Sequence, residues 1–182
     1  MNILLVVSES EGDGKTAIAL TLAHHVANLG KKVTVLKPFG SKNELDNNSE
    51  SLIFTDLVGS TTLEWPMELP ESVFLFEQGR PSKALNEVKN KLTKIAKTHD
   101  LVIVELSSNI SQEEQVEIAE LLKAKVLAVI KHKHALKTQK IKQHLVSFGQ
   151  NLSGVLINAR TKYTSHEVQE SFIPELEDLN IK

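Results

Sequence analysis

Apolar residues recur along this chain in short unbroken runs, separated by longer stretches of helical period. The runs are Ile3–Val7, Val33–Leu36, Leu101–Val104, Val126–Ile130 and Gly154–Ile157. None alternates with polar residues, which is the pattern of strands covered on both faces, as in a parallel sheet. The segments between them place apolar residues three and four apart. Thr16–Asn28 carries Ile18, Leu20, Leu22, Ala23 and Val26 and stops at Gly30, a helix-ending residue. Pro81–Lys97 opens on Pro81 and Ser82 and carries Leu85, Val88, Leu92 and Ile95. Ser111–Lys123 opens on Ser-Gln-Glu-Glu, with Ser111 as cap and Glu114 three residues on, the spacing of a capping box. Leu136–Phe148 and Ser165–Leu176 also have helical period. Strand and helix therefore alternate. That predicts an α/β fold of three layers, a mostly parallel sheet with helices on both faces and right-handed crossovers.

Two stretches break the alternation. Ser41–Ser72 begins as a polar run (SKNELDNNSES) and then turns mixed. Ser51–Val58 reads as a short helix, and Thr62–Pro70, with Pro66 and Pro70, as an irregular connection. A long irregular insert in an α/β domain is commonly functional. The last residues, FIPELEDLNIK, read as the end of a helix approaching another strand. The expectation is one domain over residues 1–182, cut before a final strand.

Composition narrows the function classes. A length of 182 residues fits a single domain, and 41% hydrophobic with 24% charged residues is ordinary for a soluble one. A net charge of −2 gives no electrostatic case for a nucleic-acid partner. Aromatic residues, at 4%, leave few platforms for stacking bases. The absence of cysteine excludes disulfides, thiolate metal sites and cysteine nucleophiles. No apolar run is long enough to cross a bilayer, and the N-terminus enters a strand with no basic region or cleavage site. A cytoplasmic protein with no membrane partner is expected.

The chemistry concentrates in the first forty residues. The strand MNILLVV is followed by the loop SESEGDGKT, a helix, and a second strand ending in Lys37-Pro38. A loop closing in Gly14, Lys15 and Thr16 between strand and helix is the plan of a phosphate-binding loop. Its backbone N–H groups, from Gly12, Asp13, Gly14, Lys15, Thr16 and Ala17, surround an anion at the helix N-terminus. The lysine reaches the terminal phosphates and the threonine hydroxyl ligates Mg²⁺. Glu9 occupies the usual first glycine position, and Glu11 adds a second negative charge. The competing reading is a strand–helix turn that uses Gly12 and Gly14 for backbone geometry alone.

Other candidates sit at strand ends, the ligand-binding edge of a parallel sheet. Lys37 either neutralises charge on a transferred phosphoryl group or simply caps its strand at the surface. Glu105 ends an apolar strand beside the loop, where an acid serves as outer partner of Mg²⁺ or else lies exposed at the edge. Asp100 begins the same strand at the opposite edge and is not assigned to the metal. Asn158 ends GVLIN, and its amide suits either a purine edge or a turn. In the polar run, Glu44, Asp46, Glu50 and Asp56 are each a metal ligand or a solvated side chain. Lys131, His132, Lys133 and His134 follow a strand but show no third metal ligand at a suitable spacing, so an ordinary basic loop is preferred. His24 and His25 fall mid-helix and read as structural.

Taken together, SESEGDGKT, the Lys-Pro pair, DLVIVE and GVLIN resemble, in order and spacing over nearly the whole chain, the dethiobiotin synthetase family of P-loop NTPase folds. The nearest resemblance is to the dethiobiotin-synthetase-like N-terminal domain of bacterial phosphotransacetylases. The resemblance implies ATP (or GTP) and Mg²⁺ as cofactors. It implies Lys15 and Lys37 on the reacting groups, Thr16, Glu50 and Glu105 on the metal, Asn158 on the base and Ser41 near substrate. The family reaction closes a cyclic urea from a diamine and CO₂ through a phosphorylated carbamate, in sites completed by a second subunit, which implies a homodimer.

This chain departs from the family where the acidic strand ends. The family continues V-E-G-A-G-G, whereas VELSSN places Leu106 at the first glycine. Gly12 also replaces the usual loop acid. Both changes suit a regulatory, ligand-sensing domain with a small-molecule effector better than a carboxylase. Septum-site and partition ATPases need an early loop lysine, and Ser10 stands there instead. The expectation is therefore a Mg²⁺-dependent purine-nucleotide-binding domain with a regulatory role. The alternatives are an ATP-dependent carboxylase acting on a small-molecule substrate and a degenerate P-loop serving as an interaction scaffold.

Overall fold

The computed structural model describes residues 2–8, 10–39, 75–77, 80–131, 138–158, 166 and 168–178. Ser41, Glu44, Asp46, Glu50, Asp56 and the expected helix at 51–58 lie outside the described residues, as do Glu9, His132, Lys133 and His134.

The apolar runs form one parallel sheet. Its strands are β1 (Ile3–Val7), β2 (Val33–Leu36), β5 (Leu101–Glu105), β6 (Lys125–Lys131) and β7 (Leu152–Asn158), in the order β2-β5-β1-β6-β7. Every pairing in it is parallel; Leu5 in the central strand lies beside Val104 on one side and Val126 on the other. Two strands, β3 (Phe76–Glu77) and β4 (Arg80–Pro81), form a separate antiparallel ribbon. The helices are α1 (Lys15–Asn28), α2 (Lys83–Ala96), α3 (Gln112–Leu122), α4 (Thr138–Ser147) and α5 (Ile173–Asp178).

Alternate residues of each strand face opposite layers, so one apolar run builds two cores. Ile3, Leu5 and Val7 join Val102 and Val104 under Leu85, Val88 and Leu92 of α2 and Ile118 and Leu122 of α3. Val6, Ile103, Val33 and Val35 pack instead against Ala19, Leu20 and Ala23 of α1. Helices thus cover both faces of the sheet, as expected.

Local signals set the helix limits. Gly30 follows α1 with φ +73°, donating its N–H to the Ala27 carbonyl at 2.8 Å. Helix α2 begins two residues later than the apolar period suggests. Pro81 belongs to the ribbon, and Ser82 caps the helix by accepting the Leu85 N–H at 3.2 Å. Ser111 caps α3 by accepting the Glu114 N–H at 3.2 Å. Glu114 reaches back as well: its Oε2 accepts from the Ser111 hydroxyl at 3.2 Å, while its Oε1 accepts the Leu75 N–H at 3.2 Å and ties the segment before the ribbon to α3. The expected helix over 165–176 is divided into a π-helical turn, Val168–Phe172, and α5. Pro174, second in α5, lacks the N–H that would bond back into the preceding turn, so the helix restarts there.

Candidate functional site

The carboxyl ends of β1, β2, β5, β6 and β7 define one edge of the sheet. Beside β1 the order of crossing reverses: the chain passes to β2 and β5 on one side and to β6 and β7 on the other. Such a switch point opens a crevice at the strand ends. Here it holds a cavity of about 310 Å³ lined by Glu11, Gly12, Gly14, Lys15, Thr16, Lys37, Phe39, Glu105, Leu106, Ser107 and Ser108.

The loop after β1 wraps the start of α1. Gly12 and Gly14 take φ of +75° and +98°, left-handed values that favour glycine. Gly14 caps α1 without a side-chain bond, and the first helical hydrogen bond is Ile18 N–H to the Gly14 carbonyl at 3.1 Å. The N–H groups of Lys15, Thr16 and Ala17 precede that bond and crown the positive end of the helix dipole. Asp13 is fully buried, and its carboxylate accepts the Ser10 N–H at 3.2 Å. Its role in the loop is therefore structural as well as through its backbone.

Lys15 is 8% exposed, and its ammonium donates to Ser8 Oγ at 2.7 Å. Ser8 in turn donates to the Ser10 carbonyl at 2.8 Å. Burial lowers the Lys15 pKa below the usual lysine range. Glu105, Asp13 and Glu11 oppose that shift, while the nearby charge of Lys37 adds to it. Thr16 Oγ1 donates to Glu105 Oε1 at 2.7 Å, and Lys37 Nζ lies 3.5 Å from the same oxygen. A hydroxyl from the helix start, a carboxylate from β5 and an ammonium from beyond β2 thus meet at one point, though 89 residues separate Thr16 from Glu105.

The expected residues divide accordingly. Gly12, Gly14, Lys15, Thr16, Lys37 and Glu105 line the cavity together, and Asp13 supports the loop beneath them. Ala17 is exposed in the first turn of α1. Asn158, at the end of β7, donates from Nδ2 to the Asp13 carbonyl at 2.8 Å. Asp100 is at the far edge, accepting the Lys32 N–H at 2.8 Å, as its position in the strand indicated. His24 and His25 sit on the exposed side of α1. Lys131 pairs in register with Asn158 at the end of β6. Sequence reasoning missed Ser8, Phe39, Ser107 and Ser108. The signal for Ser107 and Ser108 was available, since they follow the carboxyl end of β5 and line the crevice; Ser8 follows β1 and holds the Lys15 ammonium.

Residues 2–179 match the family described as AAA domain. The chain belongs to that family. It is also 31% identical, over 110 residues, to the ATP-dependent dethiobiotin synthetase BioD of Rhodococcus erythropolis. The match takes in 58% of this chain and 48% of that protein, so the chain spans about half the length of the curated relative it matches. Among solved structures, this family member resembles the signal recognition particle receptor FtsY of Elizabethkingia anophelis, in complex with GDP. The TM-score is 0.54 at 16% identity, over 85% of this chain and 48% of that one. The signal recognition particle 54 kDa protein of Aeropyrum pernix K1 gives a TM-score of 0.54 at 17% identity, over 85% and 34%. The BceF tyrosine kinase domain gives 0.51 at 17%, over 86% and 68%. At these identities the likeness establishes the fold alone, which is the α/β P-loop fold. Among the described residues no helix is long and apolar enough to cross a membrane.

Proposed function

We propose that this family member is a Mg²⁺-dependent purine-nucleotide-binding domain with a regulatory or sensing role. One observation carries the reading: Lys15, Thr16, Lys37 and Glu105 converge in one cavity at the N-terminus of α1. The helix start offers N–H groups to a phosphate. Lys15 and Lys37 supply positive charge to the terminal phosphates. The oxygens of Thr16 and Glu105 form a hard donor pair suited to Mg²⁺, which takes few protein ligands and completes its shell from water and phosphate. When bound, the ion would offset phosphate charge. Glu50 on the metal, Ser41 near substrate, ATP (or GTP) as the nucleotide, a small-molecule effector and a homodimer belong to the same proposal, suggested by the dethiobiotin-synthetase-like motifs.

Calorimetry with ATP and Mg²⁺ tests the reading. The intact chain should bind, and Lys15→Ala should weaken binding by about a hundredfold, the loss expected for one charge-assisted contact of roughly 3 kcal/mol. No binding by the intact chain would sink the proposal and leave an interaction scaffold.

A second reading is an ATP-dependent carboxylase of the dethiobiotin synthetase type. The match to BioD and the position of Lys37 beside the Thr16–Glu105 pair favour it. Against it, Leu106 is 1% exposed and fills the wall where the family's glycine would let backbone approach a substrate. Phosphate release from ATP that rises with a diamine and bicarbonate would select this reading; an indifferent rate selects the first. We further propose that the sensing serves a longer acyl-phosphate enzyme of the phosphotransacetylase kind, as the departures from the carboxylase motifs at Gly12 and Leu106 suggest.

A further inference from the structure

The phosphate loop has Glu9 in place of its usual first glycine, yet its last turn is held at several points. Two ties are internal: Lys15 to Ser8, and the Ser10 N–H to the Asp13 carboxylate. A third comes from a strand 145 residues away. Asn158 Nδ2 donates to the main-chain carbonyl of Asp13 at 2.8 Å. The same amide lies so close over Gly14 that a β-carbon there would collide with it. Gly14 is therefore required twice, for a φ of +98° and for the space the Asn158 side chain occupies.

The bond fixes a particular peptide. In a trans peptide the C=O and the following N–H point in opposite directions. Holding the Asp13 carbonyl toward β7 therefore turns the Gly14 N–H away from β7. That peptide precedes a glycine, whose backbone tolerates both signs of φ, so by itself it flips at little cost. A flip would present a carbonyl oxygen to a phosphate where an N–H is needed.

We propose that Asn158 is a positioning residue of the phosphate loop. Its side-chain amide locks the Asp13–Gly14 peptide in the orientation that receives phosphate, and so makes triphosphate affinity depend on the last strand of the sheet. This rests on the reading that the loop binds phosphate. It differs from a base contact in what it predicts. A base contact acts on the nucleoside, whereas a lock on the loop acts on the phosphate whether or not a base is attached.

Calorimetry of the intact chain with Mg²⁺-ATP and with Mg²⁺-tripolyphosphate separates the two. Asn158→Ala should weaken both ligands by the same factor, about tenfold for one half-buried hydrogen bond. Asn158→Asp, which keeps the shape but sets a carboxylate against the Asp13 carbonyl, should weaken both further. In amide NMR spectra of ligand-free Asn158→Asp, the Gly14 resonance should be displaced while those of α2 and α3 keep their positions. Loss confined to ATP, with tripolyphosphate binding intact, would overturn the proposal in favour of a base contact. An unmoved Gly14 resonance, or no loss for either ligand, would also overturn it. Failure of the unaltered chain to bind either ligand would overturn the phosphate-loop reading itself and this assignment with it.

Discussion

Lys15 carries its charge in a place poorly reached by water, and that sets a pH dependence. Burial holds its pKa below the usual lysine range. In the unfolded chain the lysine regains its usual value. The ligand-free fold therefore bears the full burial cost at pH below the lowered pKa, and is relieved of it as pH climbs through that value. Bound phosphate acts the other way, restoring an opposite charge and raising the pKa again. Binding must then take up a proton in the alkaline window, and affinity for tripolyphosphate should fall as pH rises through it. Calorimetry in buffers of different ionisation enthalpy measures that uptake; none between neutral and strongly alkaline pH would show that Lys15 does not meet the phosphate. Lys37 and Thr16 share Glu105 Oε1, so the carboxylate already balances a cation before any metal enters. The sequence disclosed these residue types and their strand-end positions. It did not disclose that Asn158 would be spent on Asp13, because no pattern in GVLIN says which loop lies opposite.

At the scale of single elements, the caps define where helices start and can be tested apart from the site. Ser111→Ala removes the acceptor of the Glu114 N–H and should lower stability by about 1 kcal/mol, read from denaturant midpoints. Ser82→Ala should cost more, up to about 2 kcal/mol, because Ser82 is buried and the Leu85 N–H would lose its partner away from water. Neither should alter tripolyphosphate affinity; a matching loss of affinity would show that the caps and the site are coupled. The Ser111 cap was legible from its capping-box spacing, whereas Ser82 read as the second residue of a helix opening on Pro81 and proved to be the cap. The ribbon of β3 and β4 was not legible. Its strands are two residues each, too short for any periodicity, and Pro81 reads equally as a helix opening. The division at Pro174 follows from a missing N–H, but the apolar spacing of 165–176 conceals it.

Across the whole molecule, the sheet works as the frame that assembles the cavity. Leu5 is fully buried at its centre, with Val104 and Val126 on the flanking strands. Leu5→Ala should destabilise the fold by about 3 kcal/mol, the mid-range for a buried leucine lost from a packed core. Where the variant remains folded, its tripolyphosphate affinity should be unchanged. A large loss of affinity without a shift in the unfolding midpoint would mean that core packing tunes the loop directly. Hydrophobic runs and helical periods were sufficient for the layers and for the ligand edge, because both follow from local residue types and from burial on two faces. Local signals were sufficient too for Gly14, Lys15 and Thr16, which are contiguous. Strand order is a long-range choice made by packing, and it alone puts β5 and β6 on either side of β1. That order carries Glu105 to Thr16, Lys37 to Glu105 and Asn158 to Asp13, groups whose separation along the chain left their meeting to the tertiary fold.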